Sequence, residues 1–214
     1  LNRSEKLIRN YFDEKGFKDA EVRVQQRSEP DEDGLAYVDV YIDKKDKVKV
    51  RIIHLDGNDA LSDKRIKRIM KKTNEKGKLS EFFRTKKFVN DEYESDKDKL
   101  LEKYGELGYR DAVITYDSIA SNRDENTVDV WLNIDEGNQY FIRNIDWVGN
   151  TVYTSDQLSA MLGMKRGDIY NQKKLGDRIT GDEDAITKMY YNPGYVMCAV
   201  VPVAASTVED SLDM

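Results

Sequence analysis

The sequence predicts an α+β fold made of tandem β-α-α-β-β units. Each unit is expected to form a three-stranded mixed sheet packed on one face by two antiparallel helices. Two observations predict this architecture: a nine-residue pattern occurs three times, and two long stretches of the chain align with each other without a gap. Self-similarity at a fixed spacing indicates an array of similar structural units.

The repeated pattern is an aromatic residue, three residues, a glycine, a second aromatic residue, two residues and a small residue. The copies are Phe12–Ala20, Tyr104–Ala112 and Tyr190–Cys198. Apolar residues at helical spacing precede each copy, and alternating apolar residues follow it. A helix that ends in a Schellman turn favours glycine just beyond its end, in the left-handed region. The pattern therefore predicts a helix that stops before Gly108, with Tyr104 against Tyr109, and then a strand.

The gapless alignment sets the boundaries of the units. Residues Gly16–Asn58 match Gly108–Asn150 at a constant offset of 92, so that Val38 falls on Val130. We expect three units: residues 1–47, the second helix and final hairpin of one unit; residues 48–139, a complete unit; and residues 140–214, a unit truncated at its last strand.

Hydrophobic periodicity places the elements of the middle unit. The predicted elements are a strand at Val48–Leu55, a helix capped by Ser62 or Asp63, a long connection at Thr73–Phe88, a helix at Asp91–Leu107, and two strands that begin near Ala112 and Thr127. In the last unit, we expect the second strand at Val196–Ala205, and Met214 at the start of the last strand.

Composition excludes several classes of function. The net charge is −6 and the pI is about 5.1, so the chain lacks the basic excess of a nucleic-acid-binding protein. No apolar run reaches the roughly 18 residues of a membrane-spanning helix. The single cysteine, Cys198, is expected to be a small buried residue, and the single histidine, His54, an ordinary strand residue.

The sequence also lacks the motifs of catalytic sites. We find no GxSxG, HExxH, GxxxxGK[ST] or GxGxxG pattern. The acidic run Asp31–Gly34 lacks the ligand spacing of a calcium loop. We therefore predict no catalytic residue, no cofactor and no metal site.

Several short motifs carry a resemblance to a known family. They are Gly149-Asn150 after a first strand, Gly167–Asn171 between two helices, Ile134–Gly137 at the close of a unit, and the three glycine stops. In this order they resemble the POTRA domain, the polypeptide-transport-associated repeat of BamA-type outer-membrane assembly proteins. The resemblance implies a non-enzymatic role at the periplasmic face of a bacterial outer membrane. The partners that it implies are unfolded outer-membrane β-barrel proteins, accessory outer-membrane lipoproteins and a C-terminal β-barrel of the same protein.

An unpaired sheet edge offers a binding mechanism, because it can accept an extended chain by β-augmentation. In POTRA-like sheets the second strand is an edge, which implies two candidate edges. They are Asp111, Ala112, Val113, Ile114, Thr115 and Tyr116 in the middle unit, and Val196, Met197, Cys198, Ala199, Val200 and Val201 in the last unit. The alternative is that these edges are covered by neighbouring segments or merely solvated.

A second candidate surface is a partner patch made of Lys64, Arg65, Arg68, Phe82 and Phe83. The cations suit anionic headgroups or acidic partners, and the phenylalanines suit an exposed apolar contact. Alternatively, the cations form a solvated helix face and the phenylalanines pack onto their own unit. The alternative for the whole chain is a cell-surface or cell-wall repeat array that acts as a structural scaffold.

Overall fold

The computed structural model describes residues 2–27, 37–45, 47–73, 75, 87–122 and 124–214. The chain divides into two compact units, Leu1–Leu100 with Ile114–Ile134, and Leu101–Val113 with Asp135–Met214. The α+β class with mixed three-stranded sheets is confirmed. Across the described ranges, no helix has both the length and the apolar character needed to cross a membrane.

The first compact unit contains a two-stranded and a three-stranded sheet. Its elements are α1 (Asn2–Glu14), β1 (Glu21–Arg27), β2 (Tyr37–Asp43), β3 (Lys49–Asp56), α2 (Asp63–Ile69), α3 (Asn90–Glu106, up to Leu100), β4 (Val113–Asn122, from Ile114) and β5 (Thr127–Asp135, up to Ile134). Strands β1 and β2 are antiparallel. The larger sheet has the order β3-β5-β4, and β3 runs parallel to β5.

Strand β5 lies between β3 and β4 and is the most deeply buried strand of this sheet. Val128, Val130 and Leu132 are completely buried on one face of the sheet, as expected for a strand covered on that side. Helices α2 and α3 bury an apolar stripe at helical spacing. The buried residues of these two helices in this unit are Ile66, Tyr93, Asp96 and Leu100.

The second compact unit contains the C-terminal turn of α3 and a smaller sheet. Its further elements are β6 (Phe141–Asn144), α4 (Ser155–Leu162), α5 (Gln172–Gly176), a π-helical turn (Asp177–Gly181), α6 (Ile186–Tyr191), β7 (Ser206–Val208) and β8 (Ser211–Asp213). The sheet order is β6-β8-β7, with β6 parallel to β8 and β7 antiparallel to β8. The core of this unit is formed by Ile142, Leu158, Leu162, Met164, Leu175, Ile179, Ile186 and Tyr190.

Helix α4 has well-satisfied ends. Thr154 and Gln157 form a reciprocal capping box at its start. At its end, the Arg178 guanidinium donates to the Met161 carbonyl at 2.8 Å and 2.6 Å. Arg178 lies in the π-helical turn, so this extra turn supplies a cap for the neighbouring helix.

The predicted strand at Val196–Ala205 is wrong. This fully described stretch carries no strand, and the second strand of the unit is β7 at Ser206–Val208. A strand exists only where a partner hydrogen-bonds to it. The partner of the second strand is β8, which has three residues, and each of them pairs with a residue of β7.

The expected position of the last strand is also wrong. Leu212 lies opposite Ile142 in the same way that Val128 lies opposite Val50. The last strand therefore begins at Ser211, before Met214. The spacing of 86 between Gly108 and Gly194 places Met214 opposite Val128, but the hairpin turn at residues 209–210 is two residues shorter than the turn between β4 and β5.

Candidate functional site: sheet edges and glycine stops

The glycine stops have the predicted geometry. Gly108 has a φ of 93°, and the Tyr109 amide donates to the Tyr104 carbonyl at 3.0 Å. The two tyrosine rings meet edge to face at 6.0 Å. The other two copies, Phe12-Gly16-Phe17 and Tyr190-Gly194-Tyr195, have the same hydrogen bond at 2.9 Å and the same ring arrangement at 6.0 Å and 6.3 Å. The predicted Schellman turns are therefore confirmed in all three copies.

Two of the stops also anchor the segment that follows. The Gly108 carbonyl accepts from the Tyr140 amide at 2.9 Å, and the Tyr140 carbonyl accepts from the Tyr170 amide at 2.9 Å. The first copy repeats this chain of bonds with Gly16, Val48 and Phe88, at 3.3 Å and 2.8 Å. We name this arrangement the glycine junction.

Close packing in the glycine junction leaves no room for a side chain. A Cβ on Gly108 would lie 2.7 Å from the Ile169 side chain, and one on Gly16 would lie 2.1 Å from the Phe88 carbonyl oxygen. The glycines are therefore required both by their positive φ and by the approach of the following segment.

The outer edge of β3 is covered. The Glu75 carboxylate accepts from the Ile53 amide at 2.8 Å, and Glu75 is held by Lys67 at 2.6 Å. Residues 75 and 87 also form backbone bridges to Val50 and Lys49. The side chain and backbone of the connection between the helices therefore occupy this edge.

The outer edge of β6 is covered in the same way. The Ile142 amide donates to the Asp168 carbonyl at 2.9 Å, and the Gly167 amide donates to the Ile142 carbonyl at 2.7 Å. Phe141 forms a bridge with Ile169. Both three-stranded sheets thus protect the edge of their first strand, which is a common defence against unwanted pairing.

Strand β4 forms the opposite edge of the three-stranded β3-β5-β4 sheet. The Thr115 hydroxyl donates to the Asn133 carbonyl of β5 at 3.2 Å. Within the part of the chain that the structure describes, β5 is the only strand recorded beside β4. Tyr116 is 55% exposed and Ile114 is half-buried.

The residues of the first candidate edge have different positions. Val113, Ile114, Thr115 and Tyr116 lie in β4, whereas Asp111 and Ala112 precede it. Asp111 accepts a hydrogen bond from the Tyr140 hydroxyl at 2.6 Å, which raises the pKa of Tyr140. Asp111 is therefore engaged beside the glycine junction instead of lying in the strand.

The second candidate edge is not a strand edge. Val196, Met197 and Val201 are exposed, Met197 to 93%. Cys198 and Val200 pack against the core of the second unit, and Ala199 lies between them on the wall of the same groove. An apolar groove of about 480 Å³ is lined by Trp147 and Met214 together with Cys198, Ala199, Val200 and Val201.

The candidate partner patch is described only in part. Lys64, Arg65 and Arg68 are exposed on α2. Phe82 and Phe83 lie outside the described residues. The neighbouring Lys67 differs from the exposed cations because it pairs with Glu75.

A repeated ion pair joins the first strand of each three-stranded sheet to the neighbouring central strand. The Arg51 Nε–H group donates to the Asp129 carboxylate at 2.8 Å, and the Arg143 Nε–H group donates to the Asp213 carboxylate at 2.8 Å. Each guanidinium makes a second hydrogen bond to the same carboxylate. Arg51 holds the pKa of Asp129 below its usual value, and Arg143, with Ser206, lowers the pKa of Asp213 to about 2. Sequence reasoning missed this pair, although the two arginines lie at the offset of 92.

These features define a tandem α+β repeat in which the glycine junction recurs and the first strand's edge is covered in each three-stranded sheet. The chain belongs to the POTRA family, described as a surface antigen variable number repeat, whose model matches residues 48–137 and 140–213. The predicted family is therefore confirmed.

Two curated relatives have names that state a function. The chain is 26% identical over 198 residues to a putative outer membrane protein assembly factor of Treponema pallidum (strain Nichols), covering 90% of this chain and 22% of that protein. It is 26% identical over 139 residues to the outer membrane protein assembly factor BamA of Neisseria meningitidis serogroup B, covering 64% of this chain and 17% of that protein. The chain thus spans about a fifth of the length of these relatives.

A solved structure supports the fold. The crystal structure of Haemophilus influenzae BamA POTRA3-5 matches with a TM-score of 0.52 at 17% identity, covering 99% of this chain and 77% of that chain. At this identity, the match concerns the fold alone.

Proposed function

We propose that the chain is a periplasmic repeat region of an outer-membrane protein assembly factor, and that it binds unfolded outer-membrane proteins by β-augmentation. Both curated relatives are named as outer-membrane assembly factors. The proposal includes the division into units at 1–47, 48–139 and 140–214. Accessory lipoproteins and a membrane-embedded domain of the same protein are the further partners that it includes.

One observation carries the binding mechanism: one edge of the β3-β5-β4 sheet is covered and the other is exposed. The β3 edge is occupied by Glu75 and Lys87. The β4 edge has an exposed tyrosine and only β5 as its recorded neighbour within the described ranges. A client strand therefore has one available edge in this sheet, at Ile114–Tyr116.

Edge addition suits a receptor for many clients. Main-chain hydrogen bonds provide the affinity, and they do not depend on the sequence of the added strand. The exposed side chains on the edge then contribute a modest preference through cross-strand contacts.

The test is a titration of isotope-labelled chain with a synthetic peptide from an outer-membrane protein strand. We expect the amide signals of Ile114–Tyr116 to shift, with smaller changes on β3. The matched variants are Tyr116→Pro, which removes the amide donor while remaining tolerable on an edge strand, and Tyr116→Ala, which keeps the amide. Loss of binding only in the proline variant is the expected result. Shifts confined to helices, or equal binding by both variants, would contradict edge addition.

A further inference from the structure

The outer edge of β1 carries a contact that has no counterpart on the edge of β4 among the described residues. The Glu5 carboxylate on α1 accepts a hydrogen bond from the Val24 amide at 2.7 Å. Val24 lies opposite Val40 in the β1-β2 pair, and its amide points away from β2 toward the helix side chain. A side chain of the packed helix thus satisfies a donor on the edge of this strand.

The repeat alignment identifies the matching residues on α3 and β4. At the offset of 92, Glu5 falls on Lys97 of α3, and Val24 falls on Tyr116 of β4. One contact fits this match: the Thr115 hydroxyl donates to the Asn133 carbonyl, and these two residues lie at the offset of 92 from the paired residues Arg23 and Tyr41. The Tyr116 amide is the donor that corresponds to the Val24 amide in this alignment.

Lys97 occupies the same location as Glu5. Its Nζ lies 2.5 Å from the carboxylate of Asp117, the neighbour of Tyr116, and 3.0 Å from Glu94. It also lies over the Tyr93 ring at 4.8 Å. An ammonium group has three donors and no acceptor, so Lys97 cannot accept a hydrogen bond from the Tyr116 amide.

We infer that the residue at the Glu5 and Lys97 position decides whether each sheet edge is open to an added strand. A carboxylate caps the outward amide and closes the edge of β1. A lysine cannot cap it, and the edge of β4 stays open. Its relevance to clients depends on the proposed function, but the capping itself is a property of the free chain.

Amide hydrogen exchange in the full chain tests capping without any client. On α1, the variants are Glu5→Met, which removes the acceptor, and Glu5→Gln, which keeps an acceptor oxygen on a side chain of the same length. We expect exchange at Val24 to be about tenfold faster in Glu5→Met, with little change in Glu5→Gln. Equal exchange in both variants and in the parent chain would overturn the inference.

The reciprocal change is made at Lys97. Lys97→Gln introduces an acceptor oxygen on a side chain of the same length as glutamate, and Lys97→Met introduces no acceptor. Both variants lose the ammonium group and therefore lose the ion pair with Asp117 equally. We expect exchange at Tyr116 to be several-fold slower in Lys97→Gln than in Lys97→Met. Identical exchange in the two variants would overturn the inference.

Peptide titration of the same variants separates the inference from the proposed function. If both are correct, Lys97→Gln weakens peptide binding at β4, and Glu5→Met creates new shifts around Val24. If exchange changes as expected but no variant binds the peptide, the capping position stands and client binding by β-augmentation fails. If peptide binds equally to all variants, the capping position does not control the edge.

Discussion

At the scale of single residues, the glycine stops combine two requirements in one position. Gly108 lies in the left-handed region and also within contact distance of the following segment. The first requirement is visible in the sequence because the two aromatics and the glycine lie within six positions of each other. The second is not visible, since Ile169 is distant in sequence.

Gly108→Val is expected to destabilise the chain by about 2 kcal/mol or more, because a β-branched residue meets both a positive φ and the Ile169 side chain. The measurement is urea unfolding followed by circular dichroism. Gly105→Ala is the control in the same turn, since a Cβ there makes only ordinary contacts, and it should be neutral or slightly stabilising. A neutral Gly108→Val would contradict the double requirement.

At the scale of elements, a buried carboxylate connects the end of α2 to α3. Asp96 on α3 is completely buried and accepts from the Lys72 and Thr73 amides at 2.7 Å and 2.8 Å. These amides follow the end of α2, so Asp96 fixes the start of the connection against α3. Lys99 lies 3.2 Å from the other carboxylate oxygen, which balances its charge.

Asp96→Ala is expected to destabilise the chain by about 2–4 kcal/mol, because it leaves the buried Thr73 amide and the partly buried Lys72 amide without their acceptor. The readout is again urea unfolding, compared with Asp98→Ala, which alters an exposed acid on the same helix and should stay within about 0.5 kcal/mol of the parent. Equal effects of the two substitutions would show that the buried bonds do not hold the connection.

The elements also show how far sequence patterns reach. The helix α3 and the strand β5 could be predicted because their apolar periods are local and regular. The cover on β3 could not, since Glu75 and Ile53 are separated by 22 positions and their bond depends on tertiary packing. The strand expected at Val196–Ala205 failed for a related reason: alternation alone does not provide the hydrogen-bonding partner that a strand needs.

At the scale of the whole molecule, each compact unit has its own buried core. Leu132 belongs to the first unit and Leu162 to the second. In repeat proteins, stability is approximately a sum of contributions from individual units and their neighbours. Damage to one core should therefore lower protection mainly within its own unit.

We expect Leu162→Ala to speed amide exchange in α4 and α6 by more than tenfold while β5 keeps its protection, because a core truncation costs about 2–5 kcal/mol locally. Leu132→Ala is the matched variant and should give the opposite pattern. Mass spectrometry of exchanged peptides measures both. Uniform loss of protection along the chain in either variant would instead indicate a single cooperative unit.

The glycine junction has a consequence for how such a chain can lengthen. The acceptor, Gly108, precedes the last two strands of one family match, and its donor, Tyr140, begins the next match. A gene duplication of one whole repeat copies a glycine and a donor together, so the new joint is complete as soon as the copy arises. A duplication that copied the glycine without the donor would leave the new glycine carbonyl without this hydrogen bond. Growth in whole repeats therefore needs no new joint to evolve.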